Sequence, residues 1–222
     1  MSTCPFILTK LFTPFSRAAI ARSSNTQSIL KKMGSSASAS ASTSTLPKEY
    51  PEGAARATVA AGCFWGVEHM YRKHFGSKGL YDARVGYIGG NTDDPSYKAV
   101  CSGNTGHAEA TLLVYDPAKI SYSDLLSFFY KMHDPTTSNQ QGPDRGSQYR
   151  SGIFYHDAEQ EKIARGITKK ANEQWWHGKI VTEILPAQKW WDAEDYHQEY
   201  LTKNPYGYEC PSHFLRTFPD LQ

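Results

Sequence analysis

Gly62-Cys63-Phe64-Trp65-Gly66 sets a thiol between two glycines and against two large aromatic rings. The run Ala57–Ala61 before it is apolar and strand-like, and Val67, Met70, Tyr71 and Phe75 after it fall close to one helical face. A thiol at such a strand-to-helix turn faces free backbone N–H groups and the positive end of the helix dipole, which favour the reactive thiolate. The glycines allow a tight turn and leave room for a substrate to approach. An inert core thiol is the plain alternative; the glycines, the aromatic pair and the helix start argue against it. Further along, Gly106-His107-Ala108-Glu109-Ala110 puts one acid at the start of an apolar strand. In a dry pocket desolvation would raise its pKa and keep Glu109 protonated, able to donate a hydrogen bond; on an exposed strand face, the commoner case, it would be a solvated carboxylate. Tyr97 and Tyr149 bring phenolic hydroxyls near loop and strand edges, although with fourteen tyrosines in the chain most must simply pack.

These groups need elements to hold them. Residues 79–88 read as a strand ending at Gly89-Gly90, 91–106 as a polar loop, and 108–115 as an alternating strand stopped by Asp116-Pro117. Residues 121–132 read as a helix capped by Ser121, and 133–147 as a second loop carrying Asp144. Strands follow over 149–155 and 179–185, with an Asp157-capped helix between them and a short helix over 192–201. An irregular tail rich in Pro and Gly closes the chain. Strands and helices mix without strict βαβ repetition, which favours an α+β two-layer sandwich over a doubly wound sheet.

The 222 residues suit one domain with an appendage, and 13% aromatic residues supply a proper core. Six of the 24 Lys and Arg lie in the first 48 residues, which hold no acid. From Glu49 onward 18 basic residues face 22 acidic, a balance of −4. That body carries no footprint for nucleic acid. Spaced basic residues among Ser, Thr and apolar side chains over 1–32 fit an organelle transit peptide better than a secretory signal. Mitochondrial import is the first expectation, a chloroplast is the alternative, and Met33 would start a cytosolic form. Ser35 to Thr45 reads as a flexible linker. Residues 1–49 are thus expected to be presequence and linker without fixed structure, and 50–222 a single catalytic domain. The four cysteines (Cys4, Cys63, Cys101 and Cys210) are widely spaced and form no C-x-x-C pair, against a disulfide scaffold or zinc ribbon. No apolar run approaches the ~18 residues that cross a bilayer, so no membrane partner is expected.

The pentapeptide at 62–66 resembles the active-site signature of the A-class peptide methionine sulfoxide reductases. So, in the same order, do Gly86-Tyr87-Ile88-Gly89-Gly90, Tyr97 with Val100-Cys101-Ser102-Gly103, and Thr105-Gly106-His107-Ala108-Glu109. His133-Asp134-Pro135-Thr136, Gln148-Tyr149-Arg150-Ser151, Asp195-Tyr196-His197-Gln198 and Lys203-Asn204-Pro205 complete a match over roughly 56–210. The resemblance implies a ferredoxin-like fold with a mixed central sheet and a long irregular C-terminal tail. It makes Cys63 the nucleophile, Phe64 and Trp65 the pocket for the S-methyl group, and Glu109, Tyr97 and Tyr149 the holders of the sulfoxide oxygen, with Asp144 nearby. Attack on sulfur would leave a sulfenic acid on Cys63, and Cys210 in the tail would resolve it to a disulfide. Thioredoxin would then reduce that disulfide; no cofactor and no metal enter. The implied substrates are methionine S-sulfoxide, free and in oxidised proteins, and the expected state is a monomer. Cys101 is expected to be structural or buried, and no cysteine follows Cys210 for a longer relay. Pro143 departs from the Asn that many relatives carry before the aspartate.

Two rivals stay in view: a peroxidase-like thiol enzyme, and a non-enzymatic ferredoxin-like module that binds single-stranded RNA through exposed aromatics such as Trp65. A metal site of Cys63, His107 and Cys210 lacks ligand spacing on any one element.

Overall fold

The computed structural model describes residues 49–222. The transit-peptide, linker, Met33 and Cys4 readings lie outside the described residues.

The first described strand, β1 (Ala55–Ala61), lies inside a six-stranded sheet, paired antiparallel to β3 (Ala108–Tyr115) on one side and to β6 (Ser151–Tyr155) on the other. β2 (Leu80–Ile88) follows beyond β3, and two short strands close the edges. β7 (Glu183–Pro186) runs parallel to β6, and β8 (Trp191–Asp192) antiparallel to β2. The order is β7-β6-β1-β3-β2-β8, a mostly antiparallel mixed sheet in an α+β fold.

Alternation along the strands decides which face the helices cover. Ala57, Val59 and Ala61 of β1 and Leu113 and Tyr115 of β3 point into one cluster. They meet Val67, Tyr71 and Phe75 of α1 (Phe64–Phe75) and Leu125, Leu126 and Phe129 of α3 (Tyr122–Met132). Ala164 and Ala171 of α4 (Ala158–Gln174) complete this layer. The opposite face carries Ala60, Ala108, Ala110 and Phe154, packed by Ala187 and Trp190 from the strap after β7. Both faces being covered, every residue of β3 is buried, Glu109 included. The helix ends match their caps: Ser121 and Asp124 form a reciprocal capping box, and the Asp157 side chain accepts from Gln160 N.

Five stretches differ from the sequence expectation, the first being the strand expected over 179–185, which forms only over Glu183–Pro186. The 91–106 loop contains a short helix, α2 (Tyr97–Cys101), because the Ser96 side chain caps it. The 133–147 loop contains a hairpin of β4 (Gln140–Gln141) and β5 (Asp144–Arg145), turned by Gly142 at φ +54 and Pro143. Tyr149 ends a 3₁₀ turn (Ser147–Tyr149) rather than starting a strand. The helix expected over 192–201 is replaced by β8, a run of turns and α5 (Tyr200–Lys203). Here the Gln198 amide accepts from Val85 N at 3.0 Å and donates to Val85 O at 2.8 Å, bonding to the edge of β2 in place of a helical turn. No helix or strand follows Lys203.

Candidate active site

β1 ends at Ala61 and Cys63 stands at the N-cap of α1, so strand and helix together fix the thiol. Gly62 adopts φ +87, and a side chain there would strike Gln141. At Gly66 the ring of His213 presses so close that no Cβ fits. The space beside the glycines, expected for substrate, is thus filled by the chain itself.

The thiol is buried, 2% exposed. Burial pushes its pKa well above the ordinary value and Glu109 pushes it further; the Trp65 backbone N–H opposes them, and Asp144 and Cys210 add to the rise. The helix N-terminus therefore acts as expected but is outweighed, and the resting thiol keeps its proton.

Glu109 projects from β3 toward the start of α1, where its Oε2 accepts the Phe64 N–H at 3.2 Å. Its Oε1 is buried without a hydrogen-bond partner. Burial lifts the carboxyl to about 8, the Phe64 N–H lowers it, and Asp144 raises it. Glu109 therefore holds a proton at neutral pH, the state of a strand acid that faces a dry pocket rather than solvent.

Tyr149 is fully buried and Tyr97 half-buried, both in the cluster that contains Cys63, Phe64, Trp65 and Cys210. Burial first, and Glu109 next, raise both phenols, which stay protonated and able to donate. Tyr97 is anchored by its backbone N–H, which donates to Glu194 Oε1 at 2.9 Å. Phe64 and Trp65 are each 1% exposed. Trp65 stacks on Tyr200 with centroids 3.8 Å apart, and its indole N–H donates to His197 Nδ1 at 3.0 Å. So enclosed a ring offers no platform to an RNA base, which removes the observation that motivated the binding-module rival.

Asp144, placed by the β4–β5 turn, is buried and accepts from the Tyr208 hydroxyl at 2.8 Å. Burial raises its pKa, with Tyr208 and Cys210 pulling it back. Cys210 is a buried free thiol, as is Cys63. Its Sγ donates to Gln141 O at 3.4 Å and lies 3.2 Å from Ser212 Oγ. Ser212 Oγ in turn donates to Gln141 Oε1 at 2.7 Å, and His213 Nε2 donates to Ala61 O at 2.6 Å. Cys101 sits half-buried at the end of α2. Both ring nitrogens of His107 are engaged by Gly90 N and Thr92 O, which ties this residue to loop structure.

All eight residues singled out in the sequence thus converge on one end of the sheet. Those not found are Gln141, Tyr208 and His213, which fasten the tail, and Glu194 and Tyr200, which hold Tyr97 and Trp65. No motif flagged them as a set; only His197 stood in a recognised motif, without a role.

A buried thiol beside a protonated carboxyl, with a second thiol in the same apolar cluster, defines a thiol-dependent oxidoreductase. Residues 55–217 match the family described as Peptide methionine sulfoxide reductase. A Schizosaccharomyces pombe protein, "Probable peptide methionine sulfoxide reductase", is 54% identical over 162 residues, 72% of this chain and 95% of that one. The Saccharomyces cerevisiae "Peptide methionine sulfoxide reductase" is 50% identical over 169 residues, 72% of this chain and 89% of that one. Among solved structures, Mxr1 from Saccharomyces cerevisiae in reduced form superposes with a TM-score of 0.73 at 46% identity, covering 77% of this chain and 96% of that chain. Mxr1 in complex with Trx2 gives 0.54 at 31% identity, covering 77% and 95%. The chain belongs to the A class of the peptide methionine sulfoxide reductase family. It is an oxidoreductase that returns methionine sulfoxide to methionine.

Proposed function

We propose that the chain repairs oxidised proteins by reducing the S epimer of methionine sulfoxide, free or in a polypeptide, with electrons from thioredoxin. The observation that carries the reading is Glu109, a carboxyl that keeps its proton beside Cys63 and has one oxygen without a partner. A sulfoxide sulfur is a weak electrophile until its oxygen is hydrogen-bonded or protonated. Glu109, with the Tyr97 and Tyr149 hydroxyls, stabilises the charge that develops on that oxygen. Cys63 sulfur attacks the substrate sulfur, the oxygen passes to Cys63, and methionine leaves. The thiol's proton ends on the new sulfenic acid. Phe64 and Trp65 grip the methyl group by shape and dispersion, which suits a substrate met in many peptide contexts.

Cys210 then attacks the Cys63 sulfenic acid, forming a disulfide and expelling water. A thioredoxin dithiol exchanges with that disulfide, restoring two protein thiols. The relative crystallised with thioredoxin Trx2 supports this partner. Asp144, within reach of Cys210 and Tyr208, tunes the resolving end. Dithiothreitol would replace thioredoxin in vitro, and the scheme uses no cofactor or metal. The antiparallel order β6-β1-β3-β2, joined as β-α-β-β-α-β, supports a ferredoxin-like description of the core. We read the protein as a monomer, mitochondrial through its first 32 residues, with a cytosolic form from Met33.

The test offers each sulfoxide epimer to the reduced enzyme without reductant. The S epimer should yield one methionine per enzyme with loss of two thiols, and the R epimer none. Equal yields would overturn the stereochemical reading, and faster oxidation of Cys63 by peroxide than by sulfoxide would favour the peroxidase-like rival.

A further inference from the structure

Glu68 is a buried carboxyl that the proposed reaction does not use. It lies on α1 one turn beyond Trp65 and is 1% exposed. Its two carboxylate oxygens accept one backbone N–H, that of Glu199, at 2.9 and 3.1 Å. Arg72, one turn further on, donates from Nε to Glu68 Oε1 at 3.2 Å and from Nη2 to Asp82 Oδ1 on β2 at 2.8 Å. Burial lifts the carboxyl to about 7, with Arg72 and the Glu199 N–H opposing the rise, so this placement is costly.

What the carboxylate holds is an unusual piece of backbone. Glu199 adopts φ +53, a left-handed conformation that costs a non-glycine residue ~1 kcal/mol or more. That twist points its N–H at Glu68 and starts α5, whose first residue is Tyr200. The Tyr200 ring then lies flat on Trp65, 16° from parallel. Neighbouring residues are fastened elsewhere, Gln198 to Val85 and His197 to the Trp65 indole N–H. Trp65 is thereby clamped from its edge and from its face, and the face clamp hangs on Glu68.

We propose that Glu68 is a positioning residue of the reductase: through the Glu199 N–H it holds Tyr200 against Trp65 and so shapes the wall that receives the substrate methyl group. This rests on the reading of Trp65 as a wall of the methyl pocket. Glu68 touches no reacting atom, and its loss widens the pocket while the attack of Cys63 on sulfur proceeds.

Single-turnover rates as a function of sulfoxide concentration test this, using the S-methyl substrate and its S-ethyl analogue. In Glu68→Ala the half-saturating concentration should rise about tenfold, the expected loss for a hydrogen bond to a charged group. The saturated rate should change less than threefold. The preference for methyl over ethyl, ~10-fold or more for one methylene, should shrink toward parity. Glu68→Gln, which keeps an acceptor oxygen, should restore most of both properties. A Glu68→Ala enzyme that melts earlier but keeps its half-saturation and its preference would make Glu68 a structural strut and overturn the proposal. If that variant does not fold, Tyr200→Ala decides, since unchanged half-saturation there overturns the proposal equally. Trp65→Phe separates the two levels. If it is impaired while Glu68→Ala is not, the positioning role alone fails; if it behaves as wild type, the methyl-pocket reading fails and takes the proposal with it.

Discussion

The two thiols sit in one buried cluster but are held by different kinds of structure. Cys63 is fixed between a strand hydrogen-bonded on both edges and the first turn of a twelve-residue helix. Cys210 lies in chain without helix or strand, tied down by the Tyr208–Asp144, Ser212–Gln141 and His213–Ala61 contacts. Deforming the first region would break sheet and core together; the second is held by side-chain bonds worth ~1 kcal/mol each, by the burial of Cys210 and, further on, by the Arg216 N–H bond to Lys131 O and the Phe218 ring stacked on Trp175. Cys63 and Glu109 are almost wholly shut from solvent, and the tail is the part of that enclosure held without sheet or helix. Cys63 and Glu109 are held by sheet and helix, and Cys210 by side-chain bonds and packing.

Substitutions can break this contrast from either side. The largest effect is expected from Cys63→Ser, which should abolish methionine formation even in a single turnover; residual turnover would remove the thiol from the centre of the reaction. Cys210→Ser should still release about one methionine per enzyme and then stall with thioredoxin, because its sulfenic acid has no resolving partner. Glu109→Gln should slow the chemical step by ~10²–10³, the range for one lost oxyanion donor, with little change in substrate affinity. The acid's proton is present below about 8 and absent above it. The ratio of wild-type to Gln-variant rate should therefore fall as pH rises through about 8, and a flat ratio would remove Glu109 as the proton holder.

Smaller effects sharpen the tail side. Ser212→Ala removes the bond to Gln141 and the contact with Cys210 Sγ, and in the loosened tail Cys210 should react with an alkylating agent about fivefold faster. His133, His197 and His213 are buried neutral, held by desolvation at about 3, 4 and 4, below the usual 6.5. The unfolded chain takes up these protons first, so the histidine contribution to unfolding free energy should fall progressively as pH drops from about 6.5 toward 4, while Glu109 and Glu68, raised by burial to about 8 and 7, contribute in the opposite sense. Denaturant titrations of the wild type and of His133→Gln at pH 7 and 5 would isolate the His133 share, and an equal change in both proteins would contradict the burial of this ring.

Much of the rigid half could be read from the sequence, because its signals are local. The 108–115 alternation, the Ser121 and Asp157 caps and the apolar run before Cys63 each specify an element through neighbouring residues. Glu109 was legible through the family motif around it, since an acid on an alternating strand could as well have faced solvent. The tail half was not legible, since it depends on contacts between residues far apart in the chain. Gln141 meeting Ser212 is 71 positions distant, and the His213 bond to Ala61 spans 152. The helix expected over 192–201 failed for the same reason: Gln198 bonds to Val85, 113 residues away. The thiolate expectation failed on burial, which a helix N-terminus in sequence does not reveal.

The most direct test reacts reduced full-length protein with methionine S-sulfoxide, without reductant, and maps the product disulfide by mass spectrometry. The account requires one methionine released per enzyme and a single new bond joining Cys63 to Cys210. A new disulfide that joins Cys63 to Cys101, or methionine release with Cys210 still a free thiol, would contradict it.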